Sequence, residues 1–349
     1  MIKDINNNDI LNNSILNNSF LSASLREIKQ NCKILKTDFY LDSFNYFPIT
    51  LDYSTFDHLF KREDDNSIEH FFSEKFFENL KNNEKSFKNI NNCYVLGSSP
   101  ADNYFSNLIH FLPRIFFDNK KKLNLVIHRN LSNKFRNLLK SICEMRNIEV
   151  QFYFIDDEFY RFSNSSMPQF FSIKNSIGIL KFFFSKILSN VIDQGFGKKI
   201  YIRREGANYR KILNEADLIN LLRKNGFEII NPNHFEILQQ MKIFSNAELI
   251  ISPHGSNLSN IIFCNTNAKI YEIGPNFNKP YEVNISNRYN ILSNVSRLKY
   301  FKINSDSVDV DSHSDIAKKY ISKKVLDESN YYKNIILKIN EISELVNSL

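Results

Sequence analysis

Residues 199–275 decide the fold of this chain, and they contain KIYIRREGANYRKILNE (199–215), AELIISPHGSNLSNIIF (247–263) and AKIYEIGP (268–275). Four short apolar runs lie there, at 200–202, 227–230, 249–251 and 270–273, and they alternate with segments whose apolar residues recur with helical period. Runs of this length, bounded by polar or turn residues, are typical of buried strands in a parallel sheet, and the segments between them suit its crossover helices. The stretch therefore predicts an α/β fold.

Charged and turn-forming residues gather where these predicted strands end. They are Arg203, Arg204 and Arg210 after the first strand, His254, Gly255, Ser256 and Asn257 after the third, and Glu272 at the end of the fourth. Ligands of open parallel sheets bind in the crevice beyond the carboxyl ends of the strands. We therefore expect these side chains to surround one ligand.

The residue types suit a sugar nucleotide. The guanidinium groups of Arg204 and Arg210 match a pyrophosphate, which also favours a helix N-terminus such as the one predicted after Gly255, with Ser256 or Asn257 as its cap. The Glu272 carboxylate is expected to accept hydrogen bonds from ribose hydroxyls. Taken singly, these residues also fit solvated loop charges, a turn histidine and a strand-end carboxylate, but their placement at successive strand ends favours the nucleotide site.

The same segments resemble glycosyltransferase family 61. The family pattern has Y-I-S-R, a later R, N-E, a Q before an apolar helix, H-G-A-x-L-x-N, and an apolar strand ending in E. It is matched here by Tyr201, Arg204, Arg210, Asn214, Glu215, Gln240, His254, Gly255, Leu258, Asn260 and Glu272. The resemblance adds Asn214 to the expected donor-binding residues. It implies a GT-B-like fold, with two Rossmann-like domains facing across a cleft, and inverting transfer of a sugar from a nucleotide donor.

The rest of the chain divides around this stretch. A helix is predicted around 67–80, and alternating strands and helices are predicted at 92–99, 103–117, 123–130, 133–146 and 148–156. This alternation is typical of a Rossmann-like domain. We expect an N-terminal Rossmann-like acceptor domain with an Asn- and Phe-rich leader over residues 1–176. A C-terminal Rossmann-like domain that binds the nucleotide-sugar is expected over 177–313, and a helical segment that packs back onto the protein over 314–349.

The N-terminal domain contains the candidate for the proton acceptor. DNYFSNLIHFLPRI (102–115) resembles the family phrase N-Y-F-H-x-L-x-E-x-L-P-R, but Ser106 stands at the family's His and His110 at its acidic position. Ser106 and His110 are four residues apart and would share one helix face. If the family's acidic residue takes the proton of the acceptor, the resemblance implies that His110 is the catalytic base here, since imidazole titrates near neutral pH. The alternative is a packing histidine in a protein with altered or lost activity.

Composition excludes several other classes of protein. The 349 residues carry a formal net charge of +7, which fits anionic ligands or an anionic membrane surface, but no nucleic-acid-binding motif is present. Four scattered cysteines give no disulfide framework or zinc motif. Neither a signal peptide nor a run long enough to span a membrane is recognisable. We expect a cytoplasmic protein, with peripheral contact to the inner membrane as an option.

The sequence also contains one DxD triplet, Asp309-Val310-Asp311, which metal-dependent transferases use to chelate a cation. It lies in a Ser/Asp-rich linker after the last predicted strand, so we expect neither a metal nor another cofactor. The expected function is metal-independent transfer from a nucleotide-sugar, taken as UDP-linked, to a saccharide or lipid-linked saccharide in capsule, O-antigen or lipopolysaccharide synthesis. Two alternatives stay open: a polysaccharide pyruvyl transferase using phosphoenolpyruvate, and a non-catalytic carbohydrate- or nucleotide-binding protein.

Overall fold

The computed structural model describes residues 28, 32–43, 46–53, 74–117, 120–277, 279 and 282–349. The described residues form two compact units, one extending to Lys186 and the other running from Ile187 to Leu349. Each unit contains a sheet and helices, so the α/β class expected from the sequence is confirmed. Within the described part of the chain, no helix combines the length and apolar character needed to cross a bilayer.

The first unit is built on a seven-stranded mixed sheet. Its strands are β1 (Ile34–Asp42), β2 (Phe47–Ile49), β3 (Lys88–Asn91), β4 (Tyr94–Val95), β5 (Lys122–His128), β6 (Glu149–Ile155) and β7 (Phe159–Pro168). Its helices are α1 (Glu74–Asn83) and α2 (Asn133–Met145), and a third helix, α3 (Ile173–Asn190), begins in this unit and runs past its end at Lys186. The strand order is β2-β1-β7-β4-β5-β6, with β3 also paired to β7, and β4, β5 and β6 are parallel. The predicted strands of this unit are confirmed, whereas the first part of the helix predicted at 67–80 lies outside the described residues.

The helix predicted at 103–117 takes a different form. A π-helical segment, Ser106–Phe111, leads directly into a 3₁₀ helix, Leu112–Phe117. Pro113 explains the change, because it has no backbone N–H to donate to the preceding turn. The fully buried Arg114 then fixes the segment through hydrogen bonds to the carbonyls of Leu96 and Pro168.

The second unit is built on a six-stranded sheet. Its strands are β8 (Lys199–Ile202), β9 (Glu228–Ile230), β10 (Leu249–Pro253), β11 (Lys269–Pro275), β12 (Lys299–Val308) and β13 (Asn334–Ile336). Its helices are α4 (Glu215–Lys224), α5 (Ile237–Asn246), α6 (Val283–Ser296), α7 (Asp315–Tyr320), α8 (Lys323–Glu328) and α9 (Ile339–Asn347). The four strands predicted between 199 and 275 are all confirmed.

The strand order of the second sheet locates its ligand crevice. The order is β13-β12-β11-β10-β8-β9, and the five strands from β8 to β12 are parallel. Counted along the chain, these five strands follow the doubly wound order 2-1-3-4-5, which reverses direction between β8 and β10. The loops after these two strands therefore diverge and leave a crevice at the carboxyl edge. One face of the sheet buries an apolar cluster that includes Tyr201, Ile251 and Ile273.

The end of the chain is not the single helix expected over 315–349. Two short helices, α7 and α8, are followed by a 3₁₀ turn at Asn330–Tyr332 and by β13, which pairs antiparallel with β12. Ser314, Ser322 and Ser329 accept hydrogen bonds from backbone amides at successive helix starts, so the serines divide the segment into short pieces.

Candidate functional site

Two arginines converge on one carbonyl at the crevice between β8 and β10. Arg204 follows β8 and donates from Nη1 to the His254 carbonyl, which directly follows β10, at 2.5 Å. Arg210 donates from Nε to the same carbonyl at 2.9 Å. A single backbone oxygen therefore orients both guanidinium groups at the point where the strand order reverses.

Neither arginine is neutralised. Among the described residues, no carboxylate forms an ion pair with Arg204 or Arg210, whereas the neighbouring Arg203 is paired with Glu215 at 3.1 Å. Burial, reinforced by the positive charge of Arg210, lowers the pKa of Arg204 to about 10. Two adjacent cations without a counter-charge are a site prepared for an anion.

Tyr331 reports the same positive potential. Arg210 donates from Nη1 to the Tyr331 carbonyl at 2.7 Å, and its guanidinium carbon lies 3.9 Å from the centre of the Tyr331 ring. Burial alone raises the pKa of the Tyr331 phenol, but the charges of Arg210, Arg288 and Arg204 outweigh it and lower this pKa. The aromatic ring and the arginines thus form one cationic pocket wall, to which Tyr209 also contributes its ring.

The His254 side chain is held by a buried carboxylate. Its Nδ1 lies 2.6 Å from Glu272 Oε1, and the Tyr300 hydroxyl donates to Glu272 Oε2 at 2.8 Å. Burial lowers the pKa of His254 to about 4, so the neutral ring is assigned with Nδ1–H donating to Glu272. Glu272 is 0% exposed, and both its oxygens accept from protein groups. It orients His254 in this structure. The ribose contact expected of Glu272 stays a prediction, which its complete burial does not favour.

Gly255 is required by the side chain of Arg204. A Cβ at position 255 would lie 3.0 Å from Arg204 Cδ and 3.2 Å from its Nε. The backbone there is extended (φ −174°), so the need for glycine is steric rather than conformational. The chain continues as a 3₁₀ helix, Ser256–Phe263, instead of the expected α-helix, and the residue at its N-cap is Gly255, not the expected Ser256 or Asn257.

Asn214 anchors the end of the chain through two hydrogen bonds, and the donor-binding role expected of it stays a prediction. Its Nδ2 donates to the Leu337 carbonyl at 2.8 Å, and the Leu337 amide donates back to its Oδ1 at 3.0 Å. The Leu213 amide also donates to the Ile335 carbonyl at 2.9 Å. The segment 329–337 therefore holds the loop that carries Arg210, and Asn214 is a positioning residue in this structure.

His110 lies in the interior of the first unit. It is 1% exposed, and its ring packs edge-on against Phe105 with 5.4 Å between ring centres. An acceptor hydroxyl does not reach a side chain enclosed in this way. The role of His110 as catalytic base stays a prediction, and its burial does not favour it.

Sequence reasoning missed two residues that contact this cluster, Tyr331 and Tyr300. Both lie outside the matched motif segments, at 26 or more positions beyond Gly274. The signal that could have found Tyr300 is its position at the start of the strand after β11, where it pairs with Ile270 and stands two register steps from Glu272. No comparable signal marks Tyr331, which reaches the site through the turn before β13.

The arrangement described above agrees with the comparison to known families. The family model for Glycosyltransferase 61 matches residues 70–271, which is more than half of the chain and includes the loops that carry Arg204, Arg210 and His254. No protein of the curated collection matches the chain. The chain belongs to glycosyltransferase family 61 and is a glycosyltransferase.

Proposed function

We propose that this glycosyltransferase is inverting and metal-independent, and that it transfers a sugar from a UDP-linked donor to a saccharide or lipid-linked saccharide acceptor. We place the reaction in the cytoplasmic synthesis of surface polysaccharide, such as capsule, O-antigen or lipopolysaccharide. One observation carries the donor half of this proposal: Arg204 and Arg210 meet on the His254 carbonyl, and neither has a carboxylate partner in the part of the chain that the structure describes. The family assignment supports the transfer reaction itself.

The unpaired arginines suit a leaving diphosphate better than a neutral ligand. Their mutual repulsion is an unfavourable energy in the free protein, and a dianion between them relieves it. When the bond from the anomeric carbon to the diphosphate breaks, negative charge grows on the leaving oxygen. Hydrogen-bond donors that the protein holds in place before the reaction then bind the transition state more strongly than the ground state. Losing one such hydrogen-bond donor typically lowers the rate by a factor of ~10²–10³.

The remaining steps follow from a single displacement. The acceptor hydroxyl attacks the anomeric carbon from the side opposite the diphosphate, and its proton moves to a base, so the configuration at that carbon inverts. We propose a GT-B arrangement, in which the first unit holds the acceptor, on the ground of the family. Closing the site would exclude water, which competes with the acceptor for the donor.

The role proposed for the turn after β10 is to bind the diphosphate through backbone groups. Gly255 leaves room for the Arg204 side chain, and the amides of Ser256 and Asn257 begin a 3₁₀ helix and are proposed to face the ligand. The Glu272–His254 pair is proposed to fix the His254 peptide, on which both arginines depend. Asn214 supports the same loop from behind through Leu337.

Titration of the protein with UDP, GDP, CMP and phosphoenolpyruvate tests the donor assignment. We expect UDP binding that weakens about 100-fold in Arg204→Ala, because a charge-assisted hydrogen bond to phosphate is lost, with an unchanged circular dichroism spectrum. Arg129→Ala in the first unit, where Arg129 is paired with Asp156, is the matched control and should leave the UDP affinity unchanged.

Three results would overturn the proposal or part of it. Unchanged UDP affinity in Arg204→Ala removes Arg204 from the site. Thermal stabilisation by phosphoenolpyruvate but not by UDP favours a pyruvyl transferase. Binding of sugar nucleotides without release of the diphosphate, for every donor and acceptor mixture tried, favours a non-catalytic binding protein.

A further inference from the structure

The first unit has a polar cluster of its own, at the carboxyl edge of its sheet. The loop after β4 is tied to the turn after β5, because the His128 amide donates to the Ser98 hydroxyl at 2.9 Å and Asn130 Nδ2 donates to the Pro100 carbonyl at 2.8 Å. These loops follow neighbouring parallel strands. Such an edge is where an open parallel sheet presents its ligand-binding groups.

Most ionisable groups at this edge are paired with one another. Arg129 Nε lies 2.8 Å from Asp156 Oδ1, and His128 Nε2 lies 3.1 Å from Asp157 Oδ1. Asp102, in the loop after β4, is the exception. Its Oδ1 accepts from Asn107 Nδ2 at 3.0 Å and from the Ser132 amide at 3.2 Å, but in the described residues it forms no ion pair.

The position of Asp102 combines enclosure with access. The side chain is half-buried, and its backbone lies in the left-handed region with φ at 46°. Non-glycine residues adopt this conformation when the surrounding structure imposes it, as often occurs at functional sites. The two donors fix the direction of the carboxylate, and its partial exposure leaves it reachable. His110, by contrast, is 1% exposed.

The electrostatics of Asp102 are those of a proton acceptor rather than of a structural link. Burial raises the pKa of Asp102 to about 6, despite the hydrogen bonds from Ser132 and Asn107 and the charge of Arg136, the ionised group that faces it from α2. An asparagine would accept the same hydrogen bonds without this unfavourable ionisation. A base whose pKa lies close to the working pH is the one that takes up a proton efficiently in a transition state.

We propose that Asp102 is the catalytic base of this transferase. As the acceptor oxygen forms its bond to the anomeric carbon, its proton passes to the Asp102 carboxylate, and the electron pair of the breaking bond leaves with the diphosphate. This assignment rests on the proposed function and adds to it the group that activates the acceptor. Asp102 directly precedes the segment 103–114 that resembles the family phrase, so the loop and that segment would present the base together.

Asp102→Asn tests the assignment, with Asp156→Asn as the matched control at the same sheet edge. The assay is release of the nucleoside diphosphate from the UDP-sugar that the wild type turns over, with and without saccharide acceptor, since the base activates water as well as the acceptor. We expect kcat to fall by ~10²–10⁴ in Asp102→Asn, as is typical for loss of a general base, with UDP affinity unchanged. Asp156→Asn should keep the wild-type rate.

Two readouts distinguish a base from a structural carboxylate. The wild-type kcat/KM should fall as pH drops below about 6, and this acidic limb should be absent in Asp102→Asn. Because the folded-state pKa is raised, the contribution of Asp102 to stability is full below its ordinary pKa and is lost as pH rises through about 6. At pH 7.5 the Tm of Asp102→Asn should therefore equal or exceed that of the wild type.

The outcomes separate this inference from the proposed function. If the wild type releases diphosphate and Asp102→Asn does so within about threefold, the base assignment is overturned and the proposed function stands. A lower Tm of Asp102→Asn at pH 7.5 together with an unchanged acidic limb makes Asp102 a structural residue and likewise overturns the assignment. If the wild type releases no diphosphate from any donor, the proposed function fails and the assignment falls with it.

Discussion

The carboxyl edges of the two sheets have opposite electrostatic character. At the second sheet, Arg204 and Arg210 carry positive charge and have no carboxylate partner within the described ranges, while at the first sheet Arg129 is paired with Asp156. The group without an ion-pair partner among the described residues of the first edge is instead a carboxylate, Asp102. This difference in charge underlies both proposals made above, an anion bound at the second edge and a proton accepted at the first.

This difference shows that the paired charges are the less informative ones. Arg203 directly precedes Arg204 and looks equivalent to it in the sequence. In the structure, however, the Arg203 guanidinium donates to Glu215, and this carboxylate compensates its charge. His254 is also paired, with Glu272, and its contribution to the pocket comes through its carbonyl. Function is better inferred from the charges that the fold leaves uncompensated.

The largest effect is expected from breaking the buried pair at the second edge. Glu272→Ala would leave two buried donors, His254 Nδ1–H and the Tyr300 hydroxyl, without an acceptor, and each unsatisfied group costs about 1–3 kcal/mol in the free energy of unfolding. Denaturant unfolding measures this loss. Glu248→Ala, which removes an exposed pair with Lys198, is the control and should change stability by about 0.5 kcal/mol or less. Equal losses in the two variants would contradict the structural role of Glu272.

A smaller effect is expected from crowding the arginines without changing any charge. In Gly255→Ala, the new Cβ would meet Arg204 Cδ at 3.0 Å and displace its guanidinium. We expect UDP affinity to fall about tenfold, or ~1.4 kcal/mol, with little change in Tm. Gly178→Ala is the matched control, because a Cβ there meets no atom within 4 Å. Unchanged UDP affinity in Gly255→Ala would mean that the orientation of Arg204 does not matter for binding.

The smallest effect is expected from removing the cation that is already neutralised. Arg203→Ala deletes a half-buried partner of Glu215, and pairs of this kind contribute about 0–1 kcal/mol, so UDP affinity should change by less than about threefold. Calorimetric titration beside Arg204→Ala compares two adjacent arginines directly. A loss in Arg203→Ala as large as that in Arg204→Ala would sink the distinction between paired and unpaired charges.

Much of the second unit could be predicted from the sequence because its strands are short apolar runs between turn residues. The same pattern predicted that Arg204, Arg210 and His254 follow neighbouring strands. In the structure both arginines donate to the His254 carbonyl. A local sequence pattern does not, however, predict which distant residue a side chain will bind. The occupation of Glu272 by His254 and Tyr300, and the packing of Tyr331 on Arg210, depend on contacts between distant segments.

The first unit was harder to predict for local reasons. Pro113 converts an apparent helix into π-helical and 3₁₀ segments, which turns His110 into the interior instead of along an exposed helix face. Asp102 was not singled out, because a carboxylate in a turn after a strand has no distinctive pattern. Its lack of an ion-pair partner becomes apparent only when the loops after β4 and β5 are seen together.

The attachment of segment 329–337 to the Arg210 loop has a consequence for recognising relatives of this protein. Asn214 binds Leu337, and Arg210 binds the Tyr331 carbonyl, yet both partners lie beyond the region 70–271 that identifies the family. A homologue in which this tail is shortened or replaced would still match the family over the whole region, although the loop that carries Arg210 had lost these hydrogen bonds. Surveys of family 61 should therefore inspect the tail before assigning donor binding from motifs alone.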